Sequence, residues 1–357
     1  MKKKFNFNID KLKVCVIAEN DSLFEQLSKV EPNKKHGTYI EELEDFNIKE
    51  LGFKIHLLAK YEDEVKVKIG KEKKLTTFVK RIVMSIEDMK LKQQIGKLTL
   101  GACKGEISGF FEFSNRALYQ KNVWNHILSS LHLKLVSLTT IEVALDLNFD
   151  FTRKLMKFIR DAENYDMILN RKKIETANAP LKNVYSISQM SRASISRQKT
   201  LYLGNEKKTL KMKSYNKSKE IEDGHGEKKY IEEWNNFGSS SKMFRVEFTI
   251  GWEFFYYEWL SSKGNGKGED EPFSAYLGRI VDLLRSPMYK LSLWNFCANR
   301  QLYFRDKRTG EKLTLLKIAT GIKNSQDLNR WIEEHIPTVF IFLLSMTLRH
   351  GTALEAI

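Results

Sequence analysis

Three stretches of the chain alternate apolar and polar residues with a period of two, the mark of strands that bury one face. Ser137 to Asn148 (SLTTIEVALDLN) is the clearest. Ile141, Val143, Leu145 and Leu147 fall on one side, with Glu142, Ala144, Asp146 and Asn148 on the other. Phe244 to Ile250 sets Phe244, Val246, Phe248 and Ile250 against Arg245, Glu247 and Thr249. Thr200 to Glu220 reads as a β-hairpin. Thr200 to Leu203 is one strand, Gly204-Asn205 starts the turn, and Thr209 to Tyr215 returns. On the return strand Leu210, Met212 and Ser214 share one face, and Lys211, Lys213 and Tyr215 share the other.

Around these lie weaker signals. Lys11 to Ala18, Phe53 to Tyr61, Glu64 to Ile69 and Gly109 to Phe113 read as strands, and Thr77 to Gln94 has mixed signals, with a strand or a helix near Val79 to Ile86. Glu31 to Asn47 reads as irregular and Gly70 to Lys74 as a charged turn. Ser22 to Lys29 and Phe151 to Glu163 read as helices. A helix from Asn115 to about Leu131 carries Trp124, Ile127, Leu128 and Leu131 as a core stripe. Ile221 to Gly226 reads as a turn, and Lys228 to Asn236 and Glu253 to Leu260 as short helices. Ser261 to Glu271 (SSKGNGKGEDE) is the clearest linker. Beyond it the pattern predicts helices near Phe273 to Leu284, Ser325 to His335 and Thr338 to Arg349, with a hairpin across Arg308-Thr309-Gly310. The predicted class is α+β: an antiparallel central sheet with flanking helices and a smaller, mostly helical C-terminal region. The segments are 1–105, a core at 106–262, and 272–357.

Composition narrows the partner. The 357 residues carry 60 Lys and Arg against 45 Asp and Glu, a formal charge of +15, which favours a polyanion. A membrane surface is the other polyanionic choice, but no basic amphipathic helix supports it. The longest apolar run, Ile336 to Leu348, is too short to span a bilayer. The basic N-terminus has no apolar core of a signal peptide, and Cys15, Cys103 and Cys297 are odd in number and far apart. A cytoplasmic protein with reduced cysteines is expected.

Charge on strand faces then raises the chemistry. Glu142, Asp146 and Glu247 are acids on strand faces, and an unpaired buried carboxylate is costly. The alternative is a solvated sheet face. Tyr215 with Lys211 and Lys213 on its face is either a phosphate-facing nucleophile or an ordinary residue of a basic edge strand. Carboxylates suit a hard ion such as Mg2+ or Mn2+. Glu142 and Asp146, four apart, are separated by about 13 Å on a regular strand. One of them, paired with Glu247, is therefore the expected ligand, and which one stays open. Among the seven histidines there is no His-x-His pair, so a metal site has to rest on carboxylates.

These same stretches resemble the Rep-trans family of rolling-circle plasmid replication initiators. SLTTIEVALDLNFD is similar to that family's "TRLDLAFD" strand. TLYLGNEKKTLKMKSYNKSKE resembles its "tkYfG-r-s-rfiRiYnKkqE", and FRVEFTI its "wRvEiel". Order and approximate spacing agree from Ser137 to Ile250; GFFEFSN and KLKVCVI are fainter echoes, and the chain beyond Asp270 has hardly any match. The resemblance implies a nickase/relaxase-like fold, Tyr215 as nucleophile, and family acidic positions at Glu142, Asp146 and Glu247. It implies nicking of one strand at a double-stranded origin, a 5′ phosphate on the tyrosine, and a 3′ hydroxyl left for a polymerase. It also implies single-stranded DNA contacts, a homodimer and a recruited helicase. Three departures stand out: Glu142 where Asp is commoner, Ser214 where an apolar residue precedes the tyrosine, and Lys213 in place of arginine. Lys211, Lys213, Lys217 and Arg245 are the expected DNA contacts, with Arg171 to Arg197 as a further basic segment. A relaxase-like protein of a mobile element and a non-catalytic DNA-binding protein are the competing readings.

Overall fold

A computed structural model of the chain describes residues 4–46, 48–69, 73–103, 106–119, 124–170, 172–174, 200–203, 210–224, 227–238, 241–264, 272–284, 286–322, 324, 326–328 and 330–331. The fold is α+β with a large antiparallel sheet and flanking helices. The strands are β1 (Phe5–Ala18), β2 (Thr38–Ile40), β3 (Phe53–Ile69), β4 (Lys73–Asp88), β5 (Gln93–Cys103), β6 (Glu106–Phe113) and β7 (Leu133–Leu147). After them come β8 (Tyr165–Leu169), β9 (Lys172–Ile174), β10 (Leu201–Leu203), β11 (Leu210–Asn216), β12 (Phe244–Gly251), β13 (Leu302–Asp306) and β14 (Lys312–Thr314). The helices are α1 (Ser22–Lys29), α2 (Asn115–Tyr119), α3 (Trp124–Ser130), α4 (Phe151–Arg160) and α5 (Lys217–Asp223). The rest are α6 (Tyr230–Asn235), α7 (Trp252–Gly264), α8 (Phe273–Leu283), α9 (Pro287–Gln301) and α10 (Leu315–Thr320).

The chain divides into two compact units. Met1–Asp10, Ile141–Asp270 and Leu283–Ile357 form the first; Lys11–Thr140 and Glu271–Asp282 form the second. These lines differ from the segments 1–105, 106–262 and 272–357, which followed motifs and the linker. In the first unit β1 is buried on both faces, since the neighbours Asn8 and Ile9 are both inside, whereas from Leu12 to Val16 only every second residue is.

In the first unit the strand order is β10-β11-β12-β7-β1. The centre of this sheet is buried on both faces. Val143 through Leu147 and Arg245 through Phe248 all lie inside. Helix α9 covers it: Trp294 is wholly buried, its indole N–H donates to the Val246 carbonyl at 3.0 Å, and its ring meets Phe248 edge-on. The sequence pattern did not reveal α9. Its buried residues, from Met288 to Gln301, surround nearly the whole helix, so no apolar stripe stands out. A four-stranded sheet, β14-β13-β8-β9, completes the unit; Gly310 takes the left-handed turn of the predicted hairpin.

In the second unit β1-β6-β5-β4-β3-β2 run as neighbours, with β3 and β4 a long hairpin. Gly109 of β6 has no room for a side chain, because a Cβ would come within 1.8 Å of the Thr99 carbonyl oxygen. The strand-or-helix ambiguity near Val79 to Ile86 resolves as strand within β4, and the irregular Glu31 to Asn47 stretch contains β2. The single helix expected from Asn115 is described as α2 and α3, with 120–123 outside the described residues. The turn expected at Ile221 lies largely in α5, which Asn216 caps by accepting from the Lys219 N–H. The Gly204-Asn205 turn, most of the linker, the predicted helix Thr338 to Arg349 and the basic segment at 175–199 lie outside the described residues; of the predicted helix Ser325 to His335, residues 326–328 and 330–331 are described and are helical. No helix among those described is long and apolar enough to cross a membrane.

Candidate active site

The site builds up from strand register in the first unit. On β11 and β12, Tyr215 stands opposite Arg245, Lys213 opposite Glu247, and Lys211 opposite Thr249. Alternation thus puts all six on one face. The hairpin partner β10 pairs Tyr202 with Lys213. Immediately after Tyr215 the capping Asn216 closes the strand and turns the chain into α5, so the tyrosine lies one residue from the strand's end.

Glu247 is the meeting point. Its buried carboxylate accepts the Tyr215 hydroxyl at 2.9 Å on one oxygen and the Lys213 ammonium at 3.1 Å on the other. Glu142 on β7 accepts from the Thr249 hydroxyl at 3.2 Å. Asp10 on β1 receives Nη1 of Arg245. One ligand atom each from Asp10, Glu142 and Glu247 lie within 4.8 Å of one another. Three carboxylates from three strands, with only oxygen donors, form a set suited to a hard divalent ion.

Asp146 takes no part in that trio. It is wholly buried and saturated with donors: Arg245 Nε at 2.6 Å and Nη2 at 2.8 Å, Asn8 Nδ2 at 2.9 Å, and Asn235 Nδ2 at 3.1 Å. Such a fork-to-fork pair holds both partners in plane. Of the two β7 acids left open by sequence, Glu142 therefore sits with Glu247, and Asp146 locks Arg245. Asp10 was missed. Its signal was present: Phe5, Phe7 and Ile9 alternate with Asn6, Asn8 and Asp10, extending the Lys11 to Ala18 strand toward the N-terminus.

Electrostatics follow from this layout. The Tyr215 phenol is held well above its usual range, first by burial and then by the Glu247 charge, with Arg245 opposing. For Lys213 burial works downward, yet the charges of Glu247 and Glu142 and the hydrogen bond to Glu247 prevail and raise it. Ser214, the departure beside the tyrosine, is buried and shares a 2.7 Å hydrogen bond with Thr152 on α4. A hydroxyl is thereby accommodated where an apolar side chain was the pattern.

No protein-family model matches the sequence, and no curated protein matches it. Among solved structures the chain is similar to a rolling circle replication initiator protein from Geobacillus stearothermophilus. The TM-score is 0.39 at 14% sequence identity, covering 89% of this chain and 97% of that one.

The expected DNA contacts separate into two kinds. Lys211 and Lys213 are partly exposed on the tyrosine's face. Arg245 and Lys217 need correction. Arg245 is wholly buried and bound to Asp146 and Asp10, so it has no surface to offer a phosphate. Lys217 is 1% exposed, 2.5 Å from Glu220, with its ammonium 5.7 Å from the centre of the Tyr215 ring. Strand and helix-start positions in a basic stretch look alike in sequence, and only packing tells an inward cation from an outward one.

Proposed function

We propose that this chain is a rolling-circle replication initiator that cuts and rejoins one DNA strand through Tyr215. The observation that carries the reading is the Tyr215 hydroxyl donating to Glu247, a member of a three-carboxylate cluster. The motif resemblance from Ser137 to Ile250 and the +15 charge support it.

In this reading Tyr215 Oη attacks the scissile phosphorus and its proton passes to Glu247 Oε2. The bond from phosphorus to the 3′ oxygen breaks, and that oxygen takes up a proton to become a 3′ hydroxyl. Tyr215 keeps the 5′ phosphate, so the bond energy is conserved for rejoining. Burial and the Glu247 charge hold the phenol above its usual range, so the tyrosine rests protonated. Asp10, Glu142 and Glu247 are the residues that would hold a divalent ion, Mg2+ or Mn2+. An ion held there would supply Lewis-acid polarisation of the phosphodiester and offset the charge of the displacement. Lys211 and Lys213 lie on the tyrosine's face to meet the phosphate backbone. The substrates are double-stranded origin DNA and the single strand exposed there, with a host helicase, a polymerase and a second copy of the chain as partners.

The test is incubation of the full chain with the supercoiled DNA of its own replicon. With Mg2+ the wild type converts it to open circles and forms a covalent adduct. Chelation stops the reaction. Conversion that persists unchanged in Tyr215→Phe defeats the proposal.

A further inference from the structure

We infer that Lys213 is the cluster's resident counter-cation, and that a divalent ion binds by taking its place at Glu247. This rests on the metal reading above. Three carboxylates with ligand atoms within 4.8 Å repel one another, the more so where water is scarce. The chain meets that repulsion with an ammonium placed 3.1 Å from Glu247 Oε1.

The geometry makes this ion pair a replaceable one. Glu247 is 3% exposed, whereas the Lys213 side chain is 36% exposed. The carboxylate is fixed and the ammonium has a path to water. Arg245, which also touches the cluster, has no such path: its fork is locked onto Asp146 and its remaining nitrogen onto Asp10. Lysine also suits the exchange chemically. It is a point charge on a flexible stem and forms no fork that would bind a carboxylate at two points. The position where the family pattern has arginine thus holds the cation that can leave.

The consequence is a coupling between loading and substrate. Metal at Glu247 and the ammonium at Glu247 exclude each other by charge. Once released, Lys213 remains on the same strand face as Tyr215, two residues away, where a phosphate is attacked. Loading of the site and delivery of a positive charge to the DNA become one event. Without metal, Lys213 offsets part of the cluster's negative charge at Glu247.

Mn2+ titration of the full chain, followed by the paramagnetic resonance of the unbound ion and without DNA, tests the exchange. Lys213→Gln should bind Mn2+ at least about tenfold more tightly than the wild type, since a like charge leaves the site. The same variant should nick DNA more slowly. Lys213→Arg should bind no more tightly than the wild type. Equal or weaker binding by Lys213→Gln overturns the inference. If wild-type binding is nonetheless lost in Glu142→Gln, the metal reading stands by itself. If neither the wild type nor Lys213→Gln binds Mn2+, both are overturned.

Discussion

Two polar clusters occupy the same three strands of the first unit, and their contrast separates structure from chemistry. On β1 they use Asn8 and Asp10, on β7 Asp146 and Glu142, on β12 Arg245 and Glu247. The spacings are two, four and two, so each pair shares a face and differs only in position along the strand. In the inner cluster Asp146 meets a matching fork and two amides, and its charge is cancelled. In the outer cluster three carboxylates converge, with Lys213 at Glu247 and Arg245, itself shared with Asp146, at Asp10 among the described residues. An acid met by a matching fork and amides holds a fold together, while carboxylates that converge from several strands are the arrangement that suits a bound cation.

Substitutions can break that contrast. The largest expected effect is at Tyr215: Tyr215→Phe should lower nicking at least about a thousandfold and abolish the adduct. DNA affinity, measured by filter binding, should stay near wild type. Next is the inner cluster. Arg245→Met leaves Asp146 charged, buried and without its fork, and should cost about 3–5 kcal/mol in denaturant unfolding. If Asp146→Asn instead lowered nicking with stability unchanged, the inner cluster would belong to the site. Glu142→Gln should do the opposite of Arg245→Met. Nicking should fall about a hundredfold with stability equal or slightly higher, because a repelling charge is gone.

The smallest effect concerns pH. The folded pKa of Tyr215 lies above the unfolded value of about 10, so the folded state holds the proton longer. Stability from this group is fully present below that pH and is lost as pH rises through the folded value. Alkaline unfolding of Tyr215→Phe should therefore decline less steeply above about pH 10. An equal slope in both proteins would show that the phenol is not held as described.

Much of this site was legible in the chain because strands alternate. Period two put Tyr215 with Lys213, and Glu247 with Arg245, before any pairing was known. The β11–β12 register then turned two faces into one surface. Two things escaped. Asp10 lies far from the motifs in sequence and enters only because β1 begins at Phe5. The difference between Glu142 and Asp146 is invisible in one strand, since it depends on donors from β1, α6 and β12. For the same reason Arg245 read as a surface cation: a guanidinium looks alike in sequence whether it faces water or a buried carboxylate. The helix α9 escaped for the opposite cause, being buried almost all round.

The central claim is that Tyr215 becomes joined to DNA. It is tested most directly by trapping the adduct with supercoiled DNA, trimming the DNA with nuclease, and locating the modified peptide by mass spectrometry. The account predicts a nucleotide phosphate on Tyr215, within the peptide that also carries Ser214 and Asn216. A phosphate mapped to any other residue, or an adduct still formed by Tyr215→Phe, would contradict it.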